Sequence, residues 1–215
     1  MKPPPIPNEK QRLSVLWQYQ VLDTVPEEVF DDLTELAARI CEAPIAMITL
    51  VDDSRQWFKS KVGVTVKETS RDISFCGHAI AQTELFIVPD ATKDQRFATN
   101  PLVTSEPKIR FYAGAPLITP DGYPLGTLCV IDKVARELRP DQKNALRVLA
   151  RHVMTQLELR RRSHQLTDAH KEKDRVQEEL KSVKAELARA RQQLQGSNVK
   201  PKAAARTRAK KLARR

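Results

Sequence analysis

The sequence predicts an α+β domain: an antiparallel sheet of five or six strands flanked by helices, followed by one long helix that continues as a coiled coil. Three observations carry this. Short apolar, β-branched runs recur between Ile45 and Asp132 with turn chemistry between them. Stretches with helical spacing stand on either side of that region. From Val176 onward, apolar residues step alternately by four and three along a segment free of Gly and Pro.

The chain opens with the Pro-rich "MKPPPIPNEK", and residues 1–10 read as a disordered lead. In "EKQRLSVLWQYQ", Leu13, Leu16 and Trp17 recur at helical intervals. "TVPEEVFDDLTELAARICEA" opens with the capping-box spacing Thr24-x-x-Glu27, and Phe30, Leu33, Leu36, Ala37 and Ile40 then follow one helical face. Ile45 to Val51 is an unbroken apolar and β-branched run, Asp52-Asp53-Ser54 is turn chemistry, and Gln56 to Val62 reads as a second strand ending at Gly63. That pattern is a hairpin. "LFIVPD", "FYAGAPLIT" and "LGTLCVID" supply three more strands, the last two joined by the turn signal "PDGYP".

From Arg139 the period is helical to the end of the patterned sequence. Leu146, Leu149, Val153 and Leu157 form one stripe that closes a domain spanning residues 11–158. Residues 159–195 then present Leu159, Leu166, Val176, Leu180, Val183, Leu187 and Leu194 as a dimerisation seam. Arg162 and Lys173 fall on seam positions, which predicts a marginal homodimer from this segment alone.

The formal net charge of +10 is concentrated at the chain's end. Residues 196–215 hold Lys200, Lys202, Arg206, Arg208, Lys210, Lys211, Arg214 and Arg215 and no acid, a basic tail suited to phosphate or acidic-partner contact. The three cysteines, Cys41, Cys76 and Cys129, are widely spaced with no C-x-x-C, which argues against a disulfide framework or a zinc site. No apolar run approaches membrane-spanning length and the first residues carry no signal-like h-region, so a cytoplasmic protein is expected.

Taken in order, "LDTVPEEVFDDLTELAARICEAPIAMITLVDDSRQWFKSKVG", "SFCGHAI", "LFIVPDATKDQRFATNPLVTSEPKIRFYAGAPL" and "GTLCVID" resemble a GAF domain, the sensory domain at the front of bacterial sensor histidine kinases and diguanylate cyclases. The resemblance covers about Leu13 to Leu159. It implies helices on both faces of the sheet (an α/β/α sandwich), a small-molecule pocket on one side, and on the other a helical layer that dimerises. It also implies a regulatory rather than catalytic protein. Bilin attachment in the family uses a cysteine followed directly by histidine, whereas Gly77 separates Cys76 from His78 here. The GAF-like free methionine-R-sulfoxide reductases place their catalytic cysteine further on, where this chain has "ATNPLV". His152, His164 and His170 lack the acidic neighbour of a kinase phosphoacceptor.

Within "SFCGHAI", Ser74 is placed to cap a short helix, which sets Cys76 in the first turn and points it away from His78. The ligand-binding candidates are Trp57, Phe58, Cys76, Asp90, Arg96, Phe97, Arg110, Tyr112 and Cys129: arginine for bidentate bonds to an anion, rings for stacking, thiols at the edge of a pocket. No catalytic residue, metal site or particular cofactor is indicated. The chain is thus expected to be a stand-alone sensory module that signals in trans, to a kinase or cyclase, through a dimeric C-terminal helix. The alternative is a nucleic-acid-associated protein using the fold as a dimer scaffold and the basic tail for phosphate contacts.

Overall fold

The computed structural model describes residues 2–198, so the basic tail positions from Lys200 to Arg215 lie outside the described residues. The chain divides into two units, which meet in sequence at Arg162 and Ser163.

The first unit contains α1 (Glu9–Gln18), α2 (Glu28–Cys41), β1 (Ile45–Val51), β2 (Arg55–Val62), β3 (Glu68–Ser70), α3 (Phe75–Ala79), β4 (Phe86–Val88), α4 (Pro101–Thr104), β5 (Phe111–Ile118), β6 (Pro124–Asp132) and the start of α5 (Pro140–Asn198). The strands make one six-stranded sheet in the order β3-β2-β1-β6-β5-β4. Every neighbouring pair is antiparallel. The fold class read from the sequence is therefore the observed one.

Each face of the sheet carries its own core. Ala46, Ile48 and Leu50 of β1 face a layer made by Leu16 of α1, Phe30 and Ala37 of α2, and Leu146, Leu149, Val153 and Leu157 of α5. Ile45, Met47 and Val51 face the opposite way, toward Phe75 of α3, Phe97 and Val103. Burial on both sides is why β1 reads as a continuous apolar run instead of an alternating one.

A register shift between Ile48 and Thr49 leaves Lys59 of β2 without a partner on β1. The Lys59 side chain, fully buried, is satisfied by Thr24 Oγ1 at 3.0 Å, the Val25 carbonyl at 2.8 Å and Glu27 at 2.6 Å. Thr24 and Glu27 are thereby committed to Lys59, and the capping box expected of them does not form. Glu27 becomes the N-cap of α2 with no side-chain cap bond, and its carboxylate also takes Arg160 at 3.0 Å.

The lead expected to be disordered crosses the domain: Ile6 is buried in the second core, and Lys2 pairs with Asp72 at 2.6 Å. Strand β3 carries no apolar signal, being Glu-Thr-Ser, and forms because β2 offers it an unpaired edge. Helix α5 starts with Pro140, whose fixed φ suits a first helical position. It is anchored there by Gln142, which accepts from the Arg139 N–H and donates to the Ile40 carbonyl, both at 3.0 Å.

The described part of the second unit is the continuation of α5 from Ser163 to Asn198. Leu166, Val176, Leu180, Val183 and Leu187 are 51–63% exposed there. Lys181 pairs with Glu178 at 3.0 Å and Arg175 with Glu172 at 3.5 Å, surface pairs of small individual weight.

Candidate functional site

Helix α3 is one turn long, and its entry is fixed by Ser74, whose Oγ accepts from the Gly77 N–H at 3.0 Å and donates to the Arg71 carbonyl at 2.9 Å. In a helix, residues two apart diverge. Cys76 accordingly faces the sheet, while the His78 ring meets Phe97 edge-on, 4.8 Å between centroids.

Under Cys76 the central strands bring a set of polar side chains together. Register places Thr49 opposite Thr127 and Met47 opposite Cys129, with Gly114 on the far side of Cys129. The Tyr112 hydroxyl donates to Cys76 Sγ at 3.3 Å, Cys76 Sγ lies 3.8 Å from Cys129 Sγ, and the Thr49 and Thr127 hydroxyls are 3.1 Å apart. All five residues are buried. Burial opposes ionisation of Cys76, but hydrogen bonds from Cys129, Thr127, Thr49 and Tyr112 outweigh it and hold that thiol below the ordinary range. Cys129 moves the opposite way, through its hydrogen bond with Cys76 and burial. The Tyr112 phenol is also raised, by burial and by the two sulfurs. Within this group Cys76 is therefore the first to ionise.

Beside this cluster lies a cavity of about 80 Å³. Ile45, Met47 and Ile131 of the sheet form its floor together with Cys76 and Tyr112, and Phe75 of α3 closes one end. Phe58 and Gln56 of β2, Thr69 of β3 and Val64 and Val66 between those strands line one wall; Leu102, Pro107 and Ile109 line another. None of the lining residues is charged.

Of the residues chosen from sequence, Phe58, Cys76 and Tyr112 line this cavity and the rest stand elsewhere. Trp57 packs into the core on the opposite face of the sheet, as strand alternation with Phe58 demands. Cys129 sits behind Cys76. Phe97 stacks on Phe75 at 4.0 Å as part of the core. Arg96 is forked onto Asp94, at 2.6 and 2.9 Å, with its guanidinium 4.7 Å from the centre of the Phe86 ring. Arg110 donates to the Val103 and Ile109 carbonyls at 3.0 and 3.1 Å. Asp90 accepts from the Thr92 hydroxyl at 2.6 Å and from its N–H at 3.1 Å, closing a turn. These charges are engaged by their own loops, so the anion-binding constellation expected of them is not assembled around the cavity.

Gln56 escaped the sequence reading. The available signal was its position two residues before Phe58, which puts both side chains on one face of the strand. Gln56 is 4% exposed; its Nε2 donates to Thr69 Oγ1 at 3.2 Å, and its Oε1 is buried with no hydrogen-bond partner.

The GAF domain model matches residues 25–157, more than half of the chain. The chain is 44% identical over 137 residues to a cyclic di-GMP phosphodiesterase of Pseudomonas aeruginosa, a match covering 63% of this chain and 23% of that protein. It thus corresponds to under a quarter of that relative's length. Among solved structures, it superposes on the GAF domain of a phosphoenolpyruvate-protein phosphotransferase from Acinetobacter with a TM-score of 0.53 and 17% identity, covering 70% of this chain and 92% of that one. The corresponding domain from Coxiella burnetii gives 0.52 and 18%, covering 73% and 98%. Among the described residues, no helix is long and apolar enough to cross a membrane. The sandwich of a six-stranded antiparallel sheet between helices, the family match and these likenesses agree, and the chain belongs to the GAF domain family.

Proposed function

We propose that this GAF regulatory module senses a small molecule in the cavity beneath α3 and passes the change through the sheet to α5, which pairs with a second copy to form a homodimer. The observation that carries this reading is that β1 and β6 are shared: their residues floor the cavity on one face and seat α5 on the other. A guest that displaces Met47 or Ile131 therefore moves the bed on which Leu146, Leu149 and Val153 rest. The half-exposed leucines and valines of the heptad stripe support pairing through α5, because a lone helix has no use for them.

The module's work on this reading is regulatory and not catalytic. Cys76, a nucleophile by residue type, is enclosed between Tyr112 and Cys129. The likeness to part of a cyclic di-GMP phosphodiesterase favours second-messenger signalling as the output that the helix controls, alongside the kinase or cyclase expected from sequence. The test is native mass spectrometry of the protein purified from its own host. A retained small molecule is expected, and it is expected to be lost from Met47→Trp, which fills the cavity. Its absence from both proteins sinks the sensory reading.

The alternative, nucleic-acid contact through the tail, is favoured by eight Lys or Arg without an acid between residues 196 and 215. It predicts duplex binding that weakens steeply with salt and vanishes when residues 201–215 are removed. Retained binding after that truncation dismisses it.

A further inference from the structure

Two thiols face each other where α3 meets the sheet. Cys76 comes from a helix of five residues and Cys129 from the interior of β6, yet their sulfurs lie 3.8 Å apart, near van der Waals contact. Neither is in a disulfide, and the third cysteine, Cys41, belongs to the core on the opposite face of the sheet. A disulfide would bring the two sulfurs to about 2.05 Å. Cys129 is held by β1 and β5, with Met47 and Gly114 as its register partners. The approach therefore falls to Cys76, through rotation of its side chain and a small settling of α3.

The two thiols are unequal, which gives the pair an order of reaction. Burial opposes ionisation of Cys76, but hydrogen bonds from Cys129, Thr127, Thr49 and Tyr112 outweigh it. Cys129, raised by its bond with Cys76 and by burial, keeps its proton. A thiolate is the nucleophile in sulfur oxidation, and a neighbouring thiol resolves the product into a disulfide. Cys76 is 1% exposed, so an oxidant meets it when α3 lifts. The entry to that single turn is held by the two hydrogen bonds of Ser74. A small element of this kind opens locally without unfolding the domain, and an uncharged oxidant of two heavy atoms needs a narrower opening than an aromatic disulfide reagent does.

We propose that Cys76 and Cys129 are a modification site, a dithiol that a hydroperoxide, in the simplest case hydrogen peroxide, converts to a disulfide. The Cys76 sulfur gives an electron pair to one peroxide oxygen, the O–O bond breaks, and the other oxygen leaves as water with the proton of the Cys76 thiol. The Cys129 sulfur then attacks the Cys76 sulfur of the resulting sulfenic acid, the S–O bond breaks, and hydroxide leaves as a second water with the Cys129 proton. Two thiols and one peroxide give one disulfide and two waters, and the sulfurs lose the two electrons that the peroxide gains. The site needs no guest in the cavity, so it stands or falls apart from the small-molecule reading.

The full chain, reduced and freed of reductant, is exposed to hydrogen peroxide without denaturant, then unfolded in an alkylating reagent and digested. Two of the three thiols are expected to escape alkylation, to be recovered as one peptide pair linking Cys76 to Cys129, and to return with dithiothreitol, while Cys41 is alkylated throughout. Peroxide added in urea is expected to link the three cysteines in mixed pairs, because only the fold sets Cys76 beside Cys129. Dimedone, which traps sulfenic acids, is expected to label Cys76 in Cys129→Ser and to leave Cys129 unlabelled in Cys76→Ser. The parent protein decides the pairing without either variant. Three alkylated thiols after peroxide, Cys76 carried to sulfinic acid without a link, a link that includes Cys41 or joins two chains, or the same selectivity in urea overturns the inference. Dimedone found on Cys129 and not on Cys76 overturns the order of reaction on which it rests.

Discussion

The Tyr112 hydroxyl occupies the space that a side chain on Gly114 would need: a Cβ there would stand 2.2 Å from Tyr112 Oη and 2.8 Å from its Cζ. The ring cannot yield easily, since Tyr112 is fully buried and its hydroxyl is tied to Cys76. Gly114→Ala is therefore expected to destabilise the domain by about 1–3 kcal/mol in denaturant unfolding. Combined with Tyr112→Leu, which removes the end of the ring, its cost should be less than additive. Full additivity would mean that the two residues do not share that space.

Acid should weaken the fold in a defined window. Burial raises the carboxyl pKa of Glu9 and Glu27, but Arg12 and Arg71 at the first and Lys59 and Arg160 at the second outweigh it, and both end below the ordinary 4.5. The folded state then holds these groups ionised while the unfolded chain takes up protons. Their stabilising contribution is complete above 4.5 and is lost as pH falls through the lowered values. Thermal midpoints measured from about pH 5 to about pH 3 should fall, and Glu27→Gln should be less stable near neutrality yet show a shallower fall. An unchanged slope in that variant would contradict the Lys59–Glu27–Arg160 linkage.

The three thiols should be silent in the native protein. Cys41, Cys76 and Cys129 are all buried and unpaired by disulfides, and burial pushes the Cys41 pKa to about 11. A chromogenic disulfide reagent is expected to titrate none of them rapidly before denaturation and all three after it. A single fast native thiol, removed by Cys76→Ser, would show that α3 opens readily.

Pairing through α5 is checked by mass. Val183→Asp and Leu187→Asp put charge on the heptad stripe and should convert a dimer to a monomer in light scattering, leaving the main thermal transition of the first unit in place. A parent protein that is monomeric at every concentration removes the dimer from the proposal.

The order of strands and helices was legible because periodicity reports burial, and here burial follows elements. A continuous apolar and β-branched run marked β1, the turn signal "PDGYP" set off β6, 3.6-residue spacing marked α2 and α5, and "SFCGHAI" announced its own cap. Strand β3 was not legible, because Glu68, Thr69 and Ser70 owe their conformation to an edge that β2 provides from elsewhere in the chain. The site was only partly legible for a related reason. A sequence displays residue types but not the partners that engage them, so Arg96 and Arg110 looked available for a ligand although Asp94 and two backbone carbonyls hold them. Gln56 shows the converse: an ordinary glutamine between an arginine and a tryptophan becomes distinctive only once its carbonyl is found alone among side chains.

The N-terminal segment changes where the protein should be considered to begin. The family pattern starts at residue 25, yet Leu16, Tyr19 and Val21 fill the first core, and Arg12, wholly enclosed, reaches the Pro124 carbonyl. The Tyr19 hydroxyl bonds Glu158, and Arg160 grips the Tyr19 and Gln20 carbonyls, so the two ends of the first unit clasp each other. A polypeptide cut to the recognisable family segment would keep its signature and lose its clasp. It would expose an oily seat on α5 and the sheet and tend toward insolubility, because the segment that the family pattern matches is shorter here than the packed unit.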